Sequence, residues 1–234
     1  MISVCVATLN GEKYIKQQLS SIISQLGEGD EVILSDDGST DGTLEEVKSL
    51  GSPLIRVVEG PRKGVIKNFE NAIKQSQGDY IFLADQDDVW MENKVEVMLR
   101  ELENATCVVS DCVVVDGELS VISDSFYKVN GTRFGRFYNT VCKNGYLGCC
   151  MAFRRELISK ALPIPDEIAT HDGWFGNVAA YFYTVKFIDD KLILFRRHPG
   201  NNSTTASASK NGLFKRLGFR WDIIKNIRKL KRSK

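Results

Sequence analysis

Three carboxylates fall within four residues at Asp85-Gln86-Asp87-Asp88. Like charges held so close repel one another, and a bound cation is the usual relief. Carboxylate oxygens are hard ligands, suited to Mg2+ or Mn2+ held by one or two side chains together with substrate phosphates. The spacing is not that of a calcium loop, which needs a glycine and a distant glutamate at set positions. The competing use of such residues is a solvated turn that caps a helix starting near Met91. Residues 80–84 ahead of the cluster read as a buried strand, and that context favours the metal site. A second acidic pair, in Asp36-Asp37-Gly38-Ser39, can accept from ribose hydroxyls or a base N–H. It can equally close an Asx turn and cap a helix.

The elements that must position these groups can be read from periodicity. Residues 2–8 are mostly apolar and β-branched, the pattern of a buried strand. Asn10-Gly11 ends it, and residues 12–25 then place Tyr14, Ile15, Leu19, Ile22 and Ile23 at near-helical spacing. A strand over 31–34, a helix through Leu50, a strand over 54–58, a helix over 64–77 and a strand over 80–84 follow. This alternation predicts an α/β fold with a parallel sheet and helices on both faces. Ligands of such sheets bind beyond the carboxyl ends of the strands, where the polar clusters 8–12, 36–41 and 85–88 all fall.

The second half is less regular. Its pattern predicts a helix over 91–103, strands over 106–115 and 146–153, a helix over 168–183 and a strand or strand pair over 185–195. Residues 201–212 are rich in Ser, Thr, Ala and Asn and read as a mobile loop before a basic amphipathic helix over 213–234. The expected organisation is one domain over 1–200, with halves 1–104 and 105–200, followed by that loop and helix.

Composition narrows the class. A chain of 234 residues with 43% hydrophobic and 26% charged residues suits one globular domain with a full core. The net charge of +1 conceals an asymmetry, for residues 210–234 carry ten basic side chains and one acidic, and the first 209 carry 21 basic and 29 acidic. An acidic body opposes nucleic acid. The basic helix, with its stripe Leu213, Phe214, Leu217, Trp221, Ile224, Ile227 and Leu230, suits either peripheral contact with an anionic membrane or packing on the domain. Six cysteines without a CxxC pair and only two histidines argue against zinc, and for reduced, mostly buried thiols. No secretory leader and no run of about 20 apolar residues is visible. A cytoplasmic protein is expected, at most seated on the inner face of the cell membrane.

Three stretches together resemble the family 2 inverting glycosyltransferases of the GT-A fold. They are Ile2-Ser-Val-Cys-Val-Ala-Thr-Leu-Asn10, Val32-Ile-Leu-Ser-Asp-Asp-Gly-Ser-Thr-Asp41 and Tyr80-Ile-Phe-Leu-Ala-Asp-Gln-Asp-Asp-Val-Trp90. The resemblance is dense over 2–100 and looser over 145–200. It implies that Thr8, Asn10 and Glu12 meet the nucleotide and that Asp36 or Asp37 takes the base or ribose. Asp85 would stand near the ribose and Asp87 on the metal, with Asp88 and Trp90 extending the motif toward the donor pocket. Arg62-Lys63-Gly64 and Asn68 would approach the nucleotide and diphosphate, Lys63 among them. The segment around Gly148-Cys149-Cys150 would cradle donor sugar and acceptor, its small size mattering more than its thiols.

The resemblance also makes Asp172 the general base. The family's usual Glu-Asp pair reads His171-Asp172 here, which removes one acid; Asp172 could instead cap the following helix. His198 would reach the metal or diphosphate, or be a loop residue without a role, and Arg196 or Arg197 could neutralise diphosphate charge. The stretches around Gly64–Glu70 and Arg197–Asn202 resemble bacterial polysaccharide enzymes, rhamnosyltransferases among them. The implied reaction moves a sugar from a UDP-, dTDP- or GDP-linked donor to a hydroxyl of a saccharide, one carried on a lipid included. The alternatives are a sugar-1-phosphate nucleotidyltransferase, which would need a glycine-rich basic loop after the first strand, and a non-catalytic nucleotide-sugar-binding module.

Overall fold

A computed structural model describes residues 1–201 and 213–232; the mobile loop expected at 201–212 lies, beyond residue 201, outside the described residues. The first half alternates as the sequence implies: β1 (Ile2–Thr8), α1 (Ile15–Ile23), β2 (Glu31–Asp36), α2 (Thr43–Ser49), β3 (Ile55–Glu59), α3 (Val65–Gln75) and β4 (Tyr80–Asp85). There follow β5 (Val89–Trp90), α4 (Lys94–Leu102), β6 (Cys107–Val115), β7 (Val121–Ser123), α5 (Phe126–Asn130), β8 (Met151–Arg154), α6 (Ile158–Ala161), α7 (His171–Phe182), β9 (Val185–Arg196) and α8 (Leu213–Arg232).

One sheet runs through the domain in the order β3-β2-β1-β4-β8-β6-β9-β5, with β7 paired to β6. Strands β1, β2 and β3 step outward, and α3 then carries the chain back across β2 and β1 so that β4 pairs on the far side of β1. The order therefore reverses between β1 and β4, which leaves a crevice at their carboxyl ends. Register brings the motif residues level there: Thr8 pairs with Asp36, and Ala7 with Asp85. Val4, Val6, Ile33, Leu34, Phe82 and Leu83 are fully buried, so these strands read as continuous apolar runs.

The sheet is parallel from β3 to β4 and mixed beyond, because β8 runs antiparallel to both β4 and β6. The strand expected over 146–153 pairs only from Met151 onward. Gly148–Cys150 instead forms a tight 3-10 turn. The ammonium of Lys94 binds the carbonyl of Cys149 at 3.1 Å and draws that backbone away from the sheet.

No helix among the described residues is long and apolar enough to cross a membrane. The stripe expected along α8 is divided. Ile227 and Leu230 pack onto the domain together with Ile223, which the stripe did not include, and Asn226 donates to Glu167 at 3.0 Å, whereas Leu217 and Trp221 are exposed.

Helix α7 contains Gly176, where a Cβ would overlap the Tyr146 ring. Helix propensity alone would make Gly176→Ala stabilising by about 1 kcal/mol. Displacing a packed ring costs more, so this variant is expected to lose about 1–3 kcal/mol. Thermal unfolding checks it, and a midpoint at or above the parent's would overturn this account of the packing.

Candidate active site

A cleft of about 330 Å³ opens at the reversal point. Thr8, Asp37 and Asn68 line one side, Asp85 and Asp87 the end of β4, and Gly148, His171, Asp172 and Arg197 the opposite wall. Residues read from separate stretches of sequence thus meet in one cavity.

The loops on the β1 side are bound to one another. Gln86 Oε1 accepts from Thr8 Oγ1 at 2.7 Å and from the Leu9 amide at 2.8 Å, and Gln86 Nε2 returns a bond to the Leu9 carbonyl at 3.2 Å. Asn10 sits in the left-handed region at φ 52°, held where its amide donates to Ser39 Oγ and its side-chain oxygen accepts from the Thr40 amide. Glu12 accepts from the Gly42 amide at 3.1 Å. Asn10 and Glu12 therefore splice the loop after β1 to the loop after β2, and neither lines the cleft. Asp36 closes an Asx turn, accepting from the amides of Gly38 and Ser39. Asp37 does line the cleft, with its carboxylate accepting from the amides of Arg62 at 2.5 Å and Gly64 at 2.9 Å. Asn68 Nδ2 joins the ends of β1 and β2 through the carbonyls of Thr8 and Ser35, and its Oδ1 is buried with no partner among the described residues. Lys63 is exposed outside the lining.

The acidic loop is the electrostatic centre. Asp87 Oδ2 lies 3.0 Å from His198 Nε2 and accepts from Asn201 Nδ2 at 2.7 Å. Asp88 is wholly buried; its Oδ1 accepts from the Arg196 amide at 2.9 Å, while Oδ2 has no partner among the described residues. One ligand atom from each of Asp85, Asp88 and Cys149 lies within 4.8 Å of the others. Burial, then Asp87 and Asp172, pushes the Asp85 carboxyl up to about 7. Burial, then Asp87 and Asp85, holds Asp88 well above the ordinary carboxylate range. A buried carboxylate oxygen without a donor is costly unless a proton or a cation stands by it. The carboxylate oxygens gathered here suit a hard divalent cation. The soft Cys149 thiol, itself pushed up by burial, does not suit Mg2+ or Mn2+.

The two arginines divide their work. Arg196 is buried and fully engaged, donating to the carbonyls of Asp87 and Gly117 and to Gln17 Oε1. Arg197 is the arginine of the cleft wall. Trp90, expected at the donor pocket, stands in the core instead, 5.6 Å from the Phe82 ring, with Lys94 Nζ 4.9 Å above it. Strand alternation in β5 turns its side chain inward. The buried Lys94, together with Gln86 and Asn201, is a site-building residue that the sequence reading did not find. An isolated lysine or amide carries no local signal, and these act through contacts 55 to 114 positions away.

On the opposite wall Thr170 caps α7, its Oγ1 accepting from the Gly173 amide at 3.3 Å. Asp172 Oδ1 accepts from the same amide at 2.5 Å, so Asp172 shares in the capping while it lines the cleft from the first turn. His171 stacks on Phe69 at 4.1 Å, and burial pulls its pKa below the ordinary imidazole value, keeping it neutral. A Cβ on Gly148 would stand 2.6 Å from His171 Nε2, so the wall there admits only glycine without rearrangement.

The sequence profile described as glycosyl transferase family 2 matches residues 3–162. The chain belongs to that family. This glycosyltransferase is 29% identical over 233 residues to the dTDP-rhamnosyl transferase RfbG of Shigella flexneri, covering 92% of this chain and 78% of that protein. It is 25% identical over 240 residues to the UDP-Glc:alpha-D-GlcNAc-diphosphoundecaprenol beta-1,3-glucosyltransferase WfgD of Escherichia coli, covering 96% and 85%. In fold it is similar to S. aureus TarS 1–349 in complex with UDP-GlcNAc, with a TM-score of 0.71 at 20% identity, covering 98% of this chain and 66% of that one. It is also similar to a mannosyltransferase of Pyrobaculum calidifontis in complex with GDP-Man and Mn2+, with a TM-score of 0.63 at 18% identity, covering 99% and 74%. The architecture is the GT-A fold that the three motifs implied.

The raised Asp85 pKa has a stability consequence. An unfolded aspartate loses its proton near pH 4, about three units below the folded group, so the folded protein holds an extra proton in between. Stability of the metal-free glycosyltransferase therefore declines as pH rises through roughly 4 to 7 and levels off above. Thermal midpoints in chelator are expected to fall by about 3–8 °C between pH 5 and pH 8. Asp85→Asn should flatten that decline, and an equal slope in the variant would refute the assignment.

Proposed function

We propose that this glycosyltransferase moves a sugar, with inversion and with a bound Mn2+ or Mg2+, from a nucleoside diphosphate donor to a saccharide hydroxyl in the assembly of a bacterial cell-surface polysaccharide. One observation carries the reading: Asp85 and Asp87, with His198 beside them, face Asp172 across a single cleft at the β1/β4 reversal. The Shigella and Escherichia relatives support the polysaccharide context. The undecaprenol-linked acceptor in the Escherichia enzyme's name, with the basic composition of 213–234, supports a lipid-linked acceptor and a position at the inner face of the membrane.

In this mechanism Thr8 and Asp37 receive the nucleoside at the ends of β1 and β2. Asp85, Asp87 and His198 would hold the cation, which when bound stabilises the charge on the departing diphosphate. Arg197 offers a guanidinium to the same phosphates from the cleft wall. Asp172 takes the proton of the acceptor hydroxyl as it attacks, a role that typically contributes about 10²–10⁴-fold. His171, neutral and stacked, leaves Asp172 as the one carboxylate of the pair, so the base does not contend with a neighbouring acid. A single displacement with the base opposite the leaving group inverts the anomeric centre. The nucleotidyltransferase reading loses support because the loop after β1 is neither glycine-rich nor basic.

Thermal unfolding with UDP, dTDP and GDP, each with and without Mn2+, is the direct test. A nucleotide at 100 times its dissociation constant should raise the midpoint by roughly 5–10 °C, only with metal, and not in Asp87→Ala. Asp172→Asn should keep that shift and lose about 10²–10⁴-fold in kcat. Absence of any nucleotide shift, or full activity in Asp172→Asn, would defeat the proposal.

A further inference from the structure

The positive charge of this chain is concentrated in two stretches that lie together. Residues 131–144 contain Arg133, Arg136 and Lys143 and no acid, a balance of +3. Residues 213–232 of α8 contain eight basic residues and Asp222, a balance of +7. The chain as a whole is +1, so everything else sums to −9.

Contacts join the two stretches. Arg220 donates to the carbonyl of Cys142, and Arg136 and Lys231 approach the Tyr181 ring at 4.9 and 5.0 Å. The π-helical turn at Tyr138–Cys142 is fastened to α7 where Thr140 Oγ1 bonds Asn177 Oδ1 at 2.7 Å. Around these fastenings large apolar side chains stand in solvent: Phe137 is 73% exposed, Trp221 59%, Phe134 55% and Leu217 50%. Arg133 and Arg136 flank Phe134 and Phe137 in sequence, and Arg228 lies over the Trp221 ring at 6.0 Å.

We infer that residues 131–144 and the exposed side of α8 form one composite face that seats the enzyme on an anionic lipid bilayer. Cations around exposed aromatic and aliphatic side chains match a surface of anionic headgroups over an apolar layer. A nucleic acid would neutralise the cations but offers no apolar depth for Leu217 or Val141. The inference deepens the membrane position proposed above and rests on that position, not on the sugar chemistry. It adds a second, non-helical half to the face and relates it to catalysis: α7 carries Asp172 at its start and Tyr181, between the two halves, about 14 Å along its axis.

The test uses the full chain with vesicles of phosphatidylcholine alone, and of phosphatidylcholine with about one phosphatidylglycerol in four. Of the three tryptophans, Trp90 and Trp174 are buried and Trp221 is exposed. A blue shift in emission that Trp221→Phe abolishes therefore reports on this face. Sedimentation should find the protein with anionic vesicles only. Arg133→Ala with Phe137→Ser should lower the partition coefficient at least about 20-fold, at about fivefold for each cation removed from an anionic surface and the rest from the lost ring. That variant should keep the parent's thermal midpoint and its transfer to a water-soluble acceptor.

Parent-like vesicle binding by that variant would overturn the composite face and leave α8 alone as the contact. No binding of the parent to anionic vesicles, with or without binding to RNA, would overturn the inference entirely. Transfer to the soluble acceptor is scored separately, so its failure would strike the proposed reaction and not the membrane face.

Discussion

Asp85, Asp87 and Asp88 leave the end of β4 within one turn of chain, and their mutual repulsion is the constraint that the surrounding structure answers. Arg196 grips the loop by its backbone, accepting nothing and donating to the Asp87 carbonyl. Gln86 ties it to β1, His198 and Asn201 meet Asp87, and the ammonium of Lys94 lies beneath. Three of these five groups come from the end of β9 and the residues just after it, and the sheet order separates β9 from β4 by β8 and β6. The strand β5 resolves the distance. It begins directly after the acidic loop and pairs with β9, Val89 opposite Leu194, so the sheet curls until residues 194–198 stand beside 85–89. The curl of the sheet and the charge of the loop are one design problem.

The solution is incomplete by construction. Asp88 Oδ2 has no donor among the described residues, and burial with the neighbouring carboxylates pushes the Asp85 carboxyl up, an unfavourable arrangement that a cation bound there would relieve. A group that would stabilise the metal-free protein, such as a further buried donor to Asp88, would compete with the ligand for the same lone pair. The opposite wall of the cleft is packed tightly. His171 is stacked on Phe69 and pressed against Gly148, and Thr170 and Asp172 both accept from the Gly173 amide at the start of α7.

Much of the first half was legible because parallel strands buried on both faces read as unbroken apolar runs, and because polar residues at their carboxyl ends must face the crevice. Thr8, Asp37, Asn68, Asp85 and Asp87 were found that way and by the resemblance. Asn10, Glu12 and Asp36 were read as ligand contacts, but the side chains of Asn10 and Glu12 hold loop to loop and that of Asp36 closes its own turn; the same residue types serve both uses, and only the fold distinguishes them. Trp90 belonged to the motif by position, yet period-two alternation in β5 buries it. The α8 stripe left packing and membrane contact open, and its division has a reason of length. At 1.5 Å per residue its 20 residues span about 30 Å, against about 18 Å for the 12 of α7 on which it rests. A helix longer than its support must leave part of its apolar stripe uncovered, and nothing in the periodicity says which part.

The two halves differ in how their function is written into the chain. The β1/β4 side of the cleft is encoded locally: each polar cluster ends a strand, and parallel register alone sets Thr8 opposite Asp36 and Ala7 opposite Asp85. The opposite wall is encoded in packing on α7, where Asp172 stands in the first turn, Gly176 admits Tyr146, Asn177 receives Thr140, and Tyr181 lies between Arg136 and Lys231. None of those partners is near α7 in sequence. Local encoding makes the first half readable and leaves the second half to emerge only in three dimensions.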